Sequence, residues 1–123
     1  MRVWRDAMDL VDAVYRTVRQ FPREELYVLS AQMRRAAISI PCNIAEGCGR
    51  WTQKEQRQFA RYARGSVLEL QTQIEIARRQ DFIDEAQGNA LTEAAAEVGR
   101  LLNCWLRSLK PKPKNLRTKN LRT

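Results

Sequence analysis

The spacing of apolar residues predicts four helices, and the first of them occupies the start of the chain. Its apolar positions recur every three or four residues, which is typical of an amphipathic helix of about five turns. These positions are Trp4, Met8, Val11, Tyr15 and Val18, with Ala7, Val14 and Phe21 beside them. We expect the helix to end at Phe21, because a residue that precedes proline is disfavoured in helical geometry.

The second predicted helix opens at Pro22 and carries a proline in its interior, and Ser30 could also cap a restart of this helix. Its core series starts at Leu26 and continues in phase across Pro41, through Leu29, Met33, Ala36, Ala37, Ile40 and Ile44, as far as Gly47. An interior proline removes one backbone hydrogen bond and clashes with the preceding turn. We therefore expect this helix to kink near Pro41 rather than stop, and Gly47 and Gly49 to supply positive φ at its end.

The same helix shows apolar residues on a second face. Ile38, Cys42 and Ala45 lie nearly opposite the core series, which is typical of a helix that is buried on two sides. Self-association would bury this face, and a harmless surface patch is the alternative. Ser39, Asn43 or Glu46 is expected to bind backbone groups that Pro41 leaves free, or else to reach water as a boundary residue.

Clear capping signals delimit the last two predicted helices. Thr52 and Glu55 form a capping box before a helix that runs to about Arg79, and Asp84 is placed to cap the fourth. Their core faces are Phe59, Ala63, Val67, Leu70, Ile74 and Ala77, then Leu91, Ala94, Ala95, Val98, Leu101, Leu102, Trp105 and Leu109. Four such helices with short connections predict an all-α, antiparallel up-down-up-down bundle.

Charge separates a nearly neutral body from a basic tail. Of the 22 Lys and Arg residues, six lie in residues 110–123, which hold no acid, so residues 1–109 carry 16 bases against 14 acids. We predict one bundle domain over residues 1–110 and a disordered basic tail over 111–123, where the unit KNLRT occurs twice. The tail is interpreted as an arm that touches phosphate or as a solubilising extension.

One helix face also concentrates positive charge. It comprises Arg50, Lys54, Arg57, Arg61 and Arg64, spaced by four and three residues on the side opposite the third helix's core stripe. The face is interpreted as a phosphate-binding stripe or as an ordinary solvated surface. Trp51 and Tyr62 lie near it, and each is expected either to stack on bases or to pack against protein.

Enzymatic and metal chemistry find no support in the residue types. The chain contains no histidine, and Cys42, Cys48 and Cys104 form no CxxC pair, so we predict no metal site, no cofactor and no catalytic residue. We expect the cysteines to be small buried thiols. Since no 18-residue apolar run or signal-peptide pattern occurs, no membrane association and a cytoplasmic location are expected.

Three segments resemble the four-helix-bundle proteins encoded in 23S rRNA intervening sequences, which are related to the accessory variability determinant proteins of diversity-generating retroelements. The segments are SAQMRRAAISIPCNIAEGCGR, ARGSVLELQTQIEIARR and EVGRLLNCWLRSLK, and the resemblance covers nearly all of residues 3–110. Two departures stand out: Cys42 replaces the usual serine, and Ser30-Ala31 replaces a threonine-serine pair.

The resemblance implies a homopentameric ring, and no enzymatic activity is established for the family. Its retroelement relatives use a positively charged ring surface to bind nucleic acid and a reverse transcriptase. Arg34 and Arg35 match the family's arginine pair, and Asn43, Glu46 and Gly47 match its NIAEG segment. These residues are interpreted as structural or intersubunit first, and as ligand contacts second. The resulting hypothesis is an oligomeric RNA- or DNA-binding bundle, and the alternative is an oligomeric scaffold that binds an acidic protein partner.

Overall fold

The structure, a computed structural model, describes residues 1–109 and contains four α-helices. They are α1 (Arg2–Val18), α2 (Leu29–Cys48), α3 (Gln53–Arg79) and α4 (Glu85–Leu109), and one 3-10 turn (Arg23–Glu25) lies between α1 and α2. No strand occurs in this part of the chain. The all-α prediction is therefore confirmed, while the predicted tail and the domain boundary after residue 110 fall outside the described residues.

The helices form a four-sided bundle in which each helix packs on two others. Helices that are consecutive in the chain pack together, and α1 packs on α4. The diagonal pair α2 and α4 meets through a side chain, because the Trp105 ring lies beside Gly47. Contacts along α3 and α4 show that these helices are antiparallel, because Arg57 donates to the Leu109 carbonyl (2.8 Å) and Arg64 to Asn103 Oδ1 (3.2 Å). The predicted up-down-up-down bundle is confirmed.

The predicted capping signals fix the starts of α3 and α4. The Thr52 hydroxyl accepts from the backbone N–H of Glu55 at 3.1 Å. At α4, the backbone N–H of Gln87 donates to Asp84 Oδ1 (2.7 Å), while the backbone N–H of Asp84 donates to Gln87 Oε1 (3.0 Å). Each pair satisfies backbone donors that have no partner inside the first helical turn.

The predicted start of α2 at Pro22 is wrong. Pro22 opens only the 3-10 turn, and the helix begins at Leu29 after Val28 takes a non-helical conformation (φ −115°, ψ −100°). The Glu25 carboxylate accepts from the Leu29 backbone N–H at 3.3 Å and so supports the new helix start. The intervening Leu26, Tyr27 and Val28 are all exposed, so no core contact holds them in a continuous helix.

The buried face of α1 is shifted by one position along the helix from the predicted series. Buried positions are Val3, Ala7, Leu10, Val14, Thr17 and Val18, whereas Trp4 is 39% exposed and Met8 38%. Because α1 packs against both α2 and α4, its buried side chains are those that point between these two helices. The line of Trp4 and Met8 continues to Tyr15, which borders a surface groove together with α2 residues.

Helix α2 passes through Pro41 without interruption, and Ile40 and Ile44 on either side of it are fully buried. Ser39 donates to the Ala36 carbonyl (2.8 Å), Asn43 donates to the Ser39 carbonyl (2.8 Å), and the Ser39 and Ser66 hydroxyls are hydrogen-bonded across α2 and α3. Of these hydrogen bonds, the one between Ser39 and Ser66 links the two helices, and the other two lie within α2. The carbonyl that Pro41 leaves without a donor, that of residue 37, is not among their acceptors, and the kink stays a prediction.

Two expectations about small residues are wrong. No glycine of residues 1–109 has positive φ; Gly49 (φ −87°) ends α2 in right-handed geometry, because its N–H reaches the Ala45 and Glu46 carbonyls directly. The three cysteines are exposed rather than buried. On the same helices the core is filled by residues on another face, such as Ile40 and Ile44 on α2 and Leu102 on α4.

Candidate nucleic-acid interface

A groove of about 340 Å³ between α3 and α4 collects four arginines. Arg57, Arg61 and Arg64 come from α3, and Arg107 comes from α4; Asn103 and Leu106 complete the lining. We call the four arginines, Arg57, Arg61, Arg64 and Arg107, the arginine cluster. They share one groove because Arg57, Arg61 and Arg64 follow a single line along α3, beside the last two turns of the antiparallel α4.

Neutral groups hold the arginine cluster in place. Arg57 donates to the Leu109 carbonyl (2.8 Å), Arg64 to Asn103 Oδ1 (3.2 Å) and Arg107 to Cys104 Sγ (3.2 Å). No acidic residue lines the groove, and within residues 1–109 none of the four arginines forms an ion pair. The groove therefore presents four positive charges, of which those on Arg57, Arg64 and Arg107 are oriented by neutral groups and none is neutralised by an ion pair within residues 1–109.

The other two residues of the predicted basic stripe lie outside the groove. Arg50 pairs with Glu46, and its guanidinium lies 4.8 Å from the centre of the Phe59 ring. Lys54 is exposed and does not line the groove. The structure thus brings together three of the five predicted bases, and an ion pair compensates the charge of Arg50.

Arg107 is the residue that the sequence reasoning missed. On α4 it lies one turn after Asn103, and nothing in the periodicity of that helix marks it as part of a basic face. Its place in the groove can be predicted only once α3 and α4 are known to pack antiparallel. In that arrangement residue 109 contacts residue 57, and residue 103 contacts residue 64.

The two aromatic residues near the basic stripe have different surroundings. Tyr62 is 50% exposed, its hydroxyl accepts from Gln58 Nε2 (2.7 Å), and its ring meets the Phe59 ring edge-on at 5.6 Å. Trp51, in the turn between α2 and α3, is 95% exposed. Tyr62 therefore packs against protein, whereas the indole of Trp51 faces solvent.

The predicted interface residues divide between the surface and the bundle interior. Ile38 is 39% exposed, and Cys42 and Ala45 are exposed as well, while Pro41 and Gly47 are buried. Arg34 and Arg35 border a groove with Tyr15 and Ile38, on the same side of the bundle as the exposed line of α1. We call the surface formed by Trp4, Met8, Tyr15, Ile38, Cys42 and Ala45 the α1–α2 face.

Two further features concern metals and membranes. In the described part of the chain, no three His, Cys, Asp or Glu side chains form a group that could hold a metal ion. None of the helices there is both long and apolar enough to cross a membrane.

The fold and the groove define a small antiparallel helical bundle with a cationic cleft between its last two helices. A sequence model of the 23S rRNA-intervening sequence protein family matches residues 1–104. The chain belongs to the 23S rRNA-intervening sequence protein family, as the sequence resemblance indicated.

Comparison with solved structures finds the same fold in another protein. The fold is similar to the crystal structure of a protein of unknown function from the S23 ribosomal protein family of Bacteroides thetaiotaomicron, with a TM-score of 0.77 and 19% sequence identity. The match covers 85% of this chain and 97% of that one, and at this identity it shows a shared fold. No protein of curated function shows a significant sequence match.

Proposed function

We propose that this protein is a non-enzymatic RNA- or DNA-binding bundle that holds the phosphate backbone in the groove between α3 and α4. The observation that carries the proposal is the arginine cluster, Arg57, Arg61, Arg64 and Arg107, with no acid among its lining residues. Guanidinium groups suit phosphate because their planar donors match its oxygens and they stay protonated. Binding through backbone phosphates is largely independent of sequence.

Two further points support this proposal. Helix α4 leads directly from the groove into residues 110–123, which add six Lys and Arg and no acid to the 16 bases and 14 acids of the rest. The family's name connects its members with 23S ribosomal RNA, a polyanion of the kind the groove suits.

The proposal is tested by removing charge from the groove. In the groove variant, Arg61, Arg64 and Arg107 are changed to Gln; Arg57 is kept because it holds the Leu109 carbonyl. The matched control changes Arg5 and Arg16 of α1 and Arg19, the residue that follows this helix, to Gln. This removes the same charge from exposed positions that form no ion pair within residues 1–109. Binding of labelled RNA and duplex DNA is measured by fluorescence anisotropy over a salt series.

Each lost phosphate contact should flatten the plot of log affinity against log salt by about 0.9 for duplex DNA and about 0.7 for a single strand. We expect the groove variant to lose about 2 to 3 units of slope, and the control variant to lose less than about one. The proposal is wrong if wild-type protein binds neither polymer at low salt, or if the two variants behave alike. Retention of an acidic protein partner after nuclease treatment would then favour the scaffold alternative.

We also propose that the protein assembles into a homo-oligomer through the α1–α2 face. Trp4 (39% exposed), Met8 (38%) and Ile38 (39%) leave apolar surface uncovered on the same side of the monomer. Contiguous exposed apolar surface is typical of an interaction site. A pentamer is the assembly that the family resemblance implies.

Light scattering on the purified protein tests the assembly. We expect wild-type protein to be oligomeric and both Met8→Glu and Ile38→Glu to shift it toward the monomer, because a buried unpaired charge opposes association. Leu68→Glu is the control, since Leu68 is 58% exposed but lies on α3, away from this face. A monomeric wild-type protein at micromolar concentration would rule the assembly out.

A further inference from the structure

The turn between α2 and α3 exposes a tryptophan that contacts almost nothing in the monomer. Trp51 is 95% exposed, the highest value among the large apolar residues of the described chain. An indole buries a large apolar area when it finds a partner, so leaving it in water is unfavourable. Its exposure leaves the whole indole available to a ligand or partner.

The backbone around Trp51 is fixed, so the indole is held outward. Before it, the N–H of Arg50 donates to the Gly47 carbonyl (3.1 Å), and the Arg50 carbonyl accepts from Gln56 Nε2 (2.9 Å). After it, the Thr52 hydroxyl caps α3. A side chain on such an anchored turn loses little freedom when it binds, which favours recognition.

Trp51 lies at the end of the bundle where the arginine cluster begins. Helix α3 starts at Gln53, so Arg57 and Arg61 lie about 6 and 12 Å of helical rise further along the same helix. Arg57 in turn contacts Leu109, the last described residue of α4. The groove and the concavity beside Trp51 share no lining residue, so a strand whose phosphates occupy the groove would reach Trp51 by turning around the start of α3.

The charges beside Trp51 favour a base over a phosphate at this point. The shallow concavity under the indole is also lined by Arg50, Glu46 and Glu55. Arg50 and Glu46 neutralise each other, which leaves the Glu55 carboxylate to repel phosphate. A neutral base over the indole, with its phosphates directed toward the arginine cluster, satisfies both sets of charges.

We propose that Trp51 is a base-stacking platform and that the nucleic acid bound by this protein is single-stranded RNA or an unpaired loop rather than a duplex. This inference rests on the proposed phosphate-binding groove. In a duplex each base face is covered by its neighbours, whereas an unpaired base offers its face to an aromatic side chain. The arginine cluster binds the phosphates of either form, and Trp51 makes the protein prefer unpaired RNA over a duplex.

The test compares Trp51→Ala and Trp51→Phe with Tyr27→Ala as the matched control. Tyr27 is 87% exposed but precedes α2, at the opposite end of the bundle from the turn that bears Trp51. The probes are a labelled oligouridylate and a duplex RNA of equal length, with the folding of each variant checked by far-UV circular dichroism.

We expect Trp51→Ala to weaken oligouridylate binding by about fivefold to a hundredfold, the range measured for loss of one base–aromatic stack. Duplex binding should change by less than about twofold, Trp51→Phe should keep most of the affinity because a phenyl ring also stacks, and Tyr27→Ala should have no effect. Oligouridylate should also quench tryptophan fluorescence in the wild type, and this quenching should disappear in Trp51→Phe although binding persists.

Failure of this inference is distinguishable from failure of the proposed function. If the groove variant weakens binding of both RNAs while Trp51→Ala changes neither, the phosphate site stands and the stacking platform is wrong. If Trp51→Ala instead changes the mass found by light scattering, Trp51 is a subunit contact and the inference is overturned. If wild-type protein binds neither RNA, the stacking platform is wrong, and the proposed function fails as well if duplex DNA is not bound either.

Discussion

Replacement of Gly47 by alanine tests how closely α2 approaches the rest of the bundle. A Cβ at this position would lie 3.0 Å from Phe59 Cβ and 3.0 Å from Trp105 Cη2. The backbone of α2 thus packs directly against α3 and α4 in its last turn. Phe59 Cβ is attached to the α3 backbone, so it cannot move aside by a simple change of rotamer.

Two opposing contributions set the size of the effect. Alanine in place of glycine inside a helix stabilises the folded state by about 0.5–1 kcal/mol, because glycine loses more backbone entropy. Overpacking of a close contact destabilises it by about 1–3 kcal/mol. We therefore expect Gly47→Ala to be destabilised by about 1 kcal/mol overall.

Gly65 provides a matched control within the same protein. It lies inside α3, is exposed, and has no atom within 4 Å of the position that a Cβ would occupy. Gly65→Ala should therefore gain only the entropic contribution and become more stable by about 0.5–1 kcal/mol. The free energies of unfolding of the two variants should differ by the packing contribution, about 1–3 kcal/mol.

Urea denaturation followed by far-UV circular dichroism measures both variants, at one protein concentration because self-association affects apparent stability. With a urea m-value of about 2 kcal/mol/M, the two midpoints should be about 0.5–1.5 M apart, with Gly47→Ala the lower. If Gly47→Ala proves as stable as Gly65→Ala, the close packing of α2 against Phe59 and Trp105 is incorrect.

Three further predictions follow from the core, a helix cap and a surface ion pair. Ile40→Ala should lower the free energy of unfolding by about 2–5 kcal/mol, because Ile40 is fully buried, and a loss no greater than that of the exposed Ile38→Ala would contradict the assigned core face. Asp84→Ala should lower it by about 0.5–2 kcal/mol through loss of the hydrogen bond to the Gln87 N–H; an unchanged urea midpoint would show that this cap contributes nothing. Glu97 accepts from Arg100, and this hydrogen bond, with the charges of Arg100 and Arg2, holds the pKa of its carboxyl below the ordinary value of 4.5. The stability that Glu97 contributes should therefore be complete above pH 4.5 and disappear as the pH falls through the lowered pKa, so the urea midpoints of wild type and Glu97→Gln should converge there; a constant difference would refute the ion pair.

The number, the order and most boundaries of the helices can be predicted from the sequence alone. Those signals are local: hydrophobic spacing within one helix, the Thr52 and Asp84 caps, and the absence of any strand pattern. The start of α2 was misplaced, because Pro22 and two following acids are a favourable helix opening that also suits a 3-10 turn, and only the lack of packing around Tyr27 decides between them.

Which face of each helix is buried, and which charged side chains lie next to each other, depends on how the helices pack. Trp4 and Met8 keep helical spacing as well as Ala7 and Leu10 do, so only the positions of α2 and α4 select the buried line. In the same way, Arg107 joins Arg57, Arg61 and Arg64 because two antiparallel helices place residues far apart in sequence side by side, while Arg50 leaves the stripe to pair with Glu46. Periodicity records the direction of a side chain about its own helix axis, but a groove depends on the relative placement of two helices, which only the packed bundle defines.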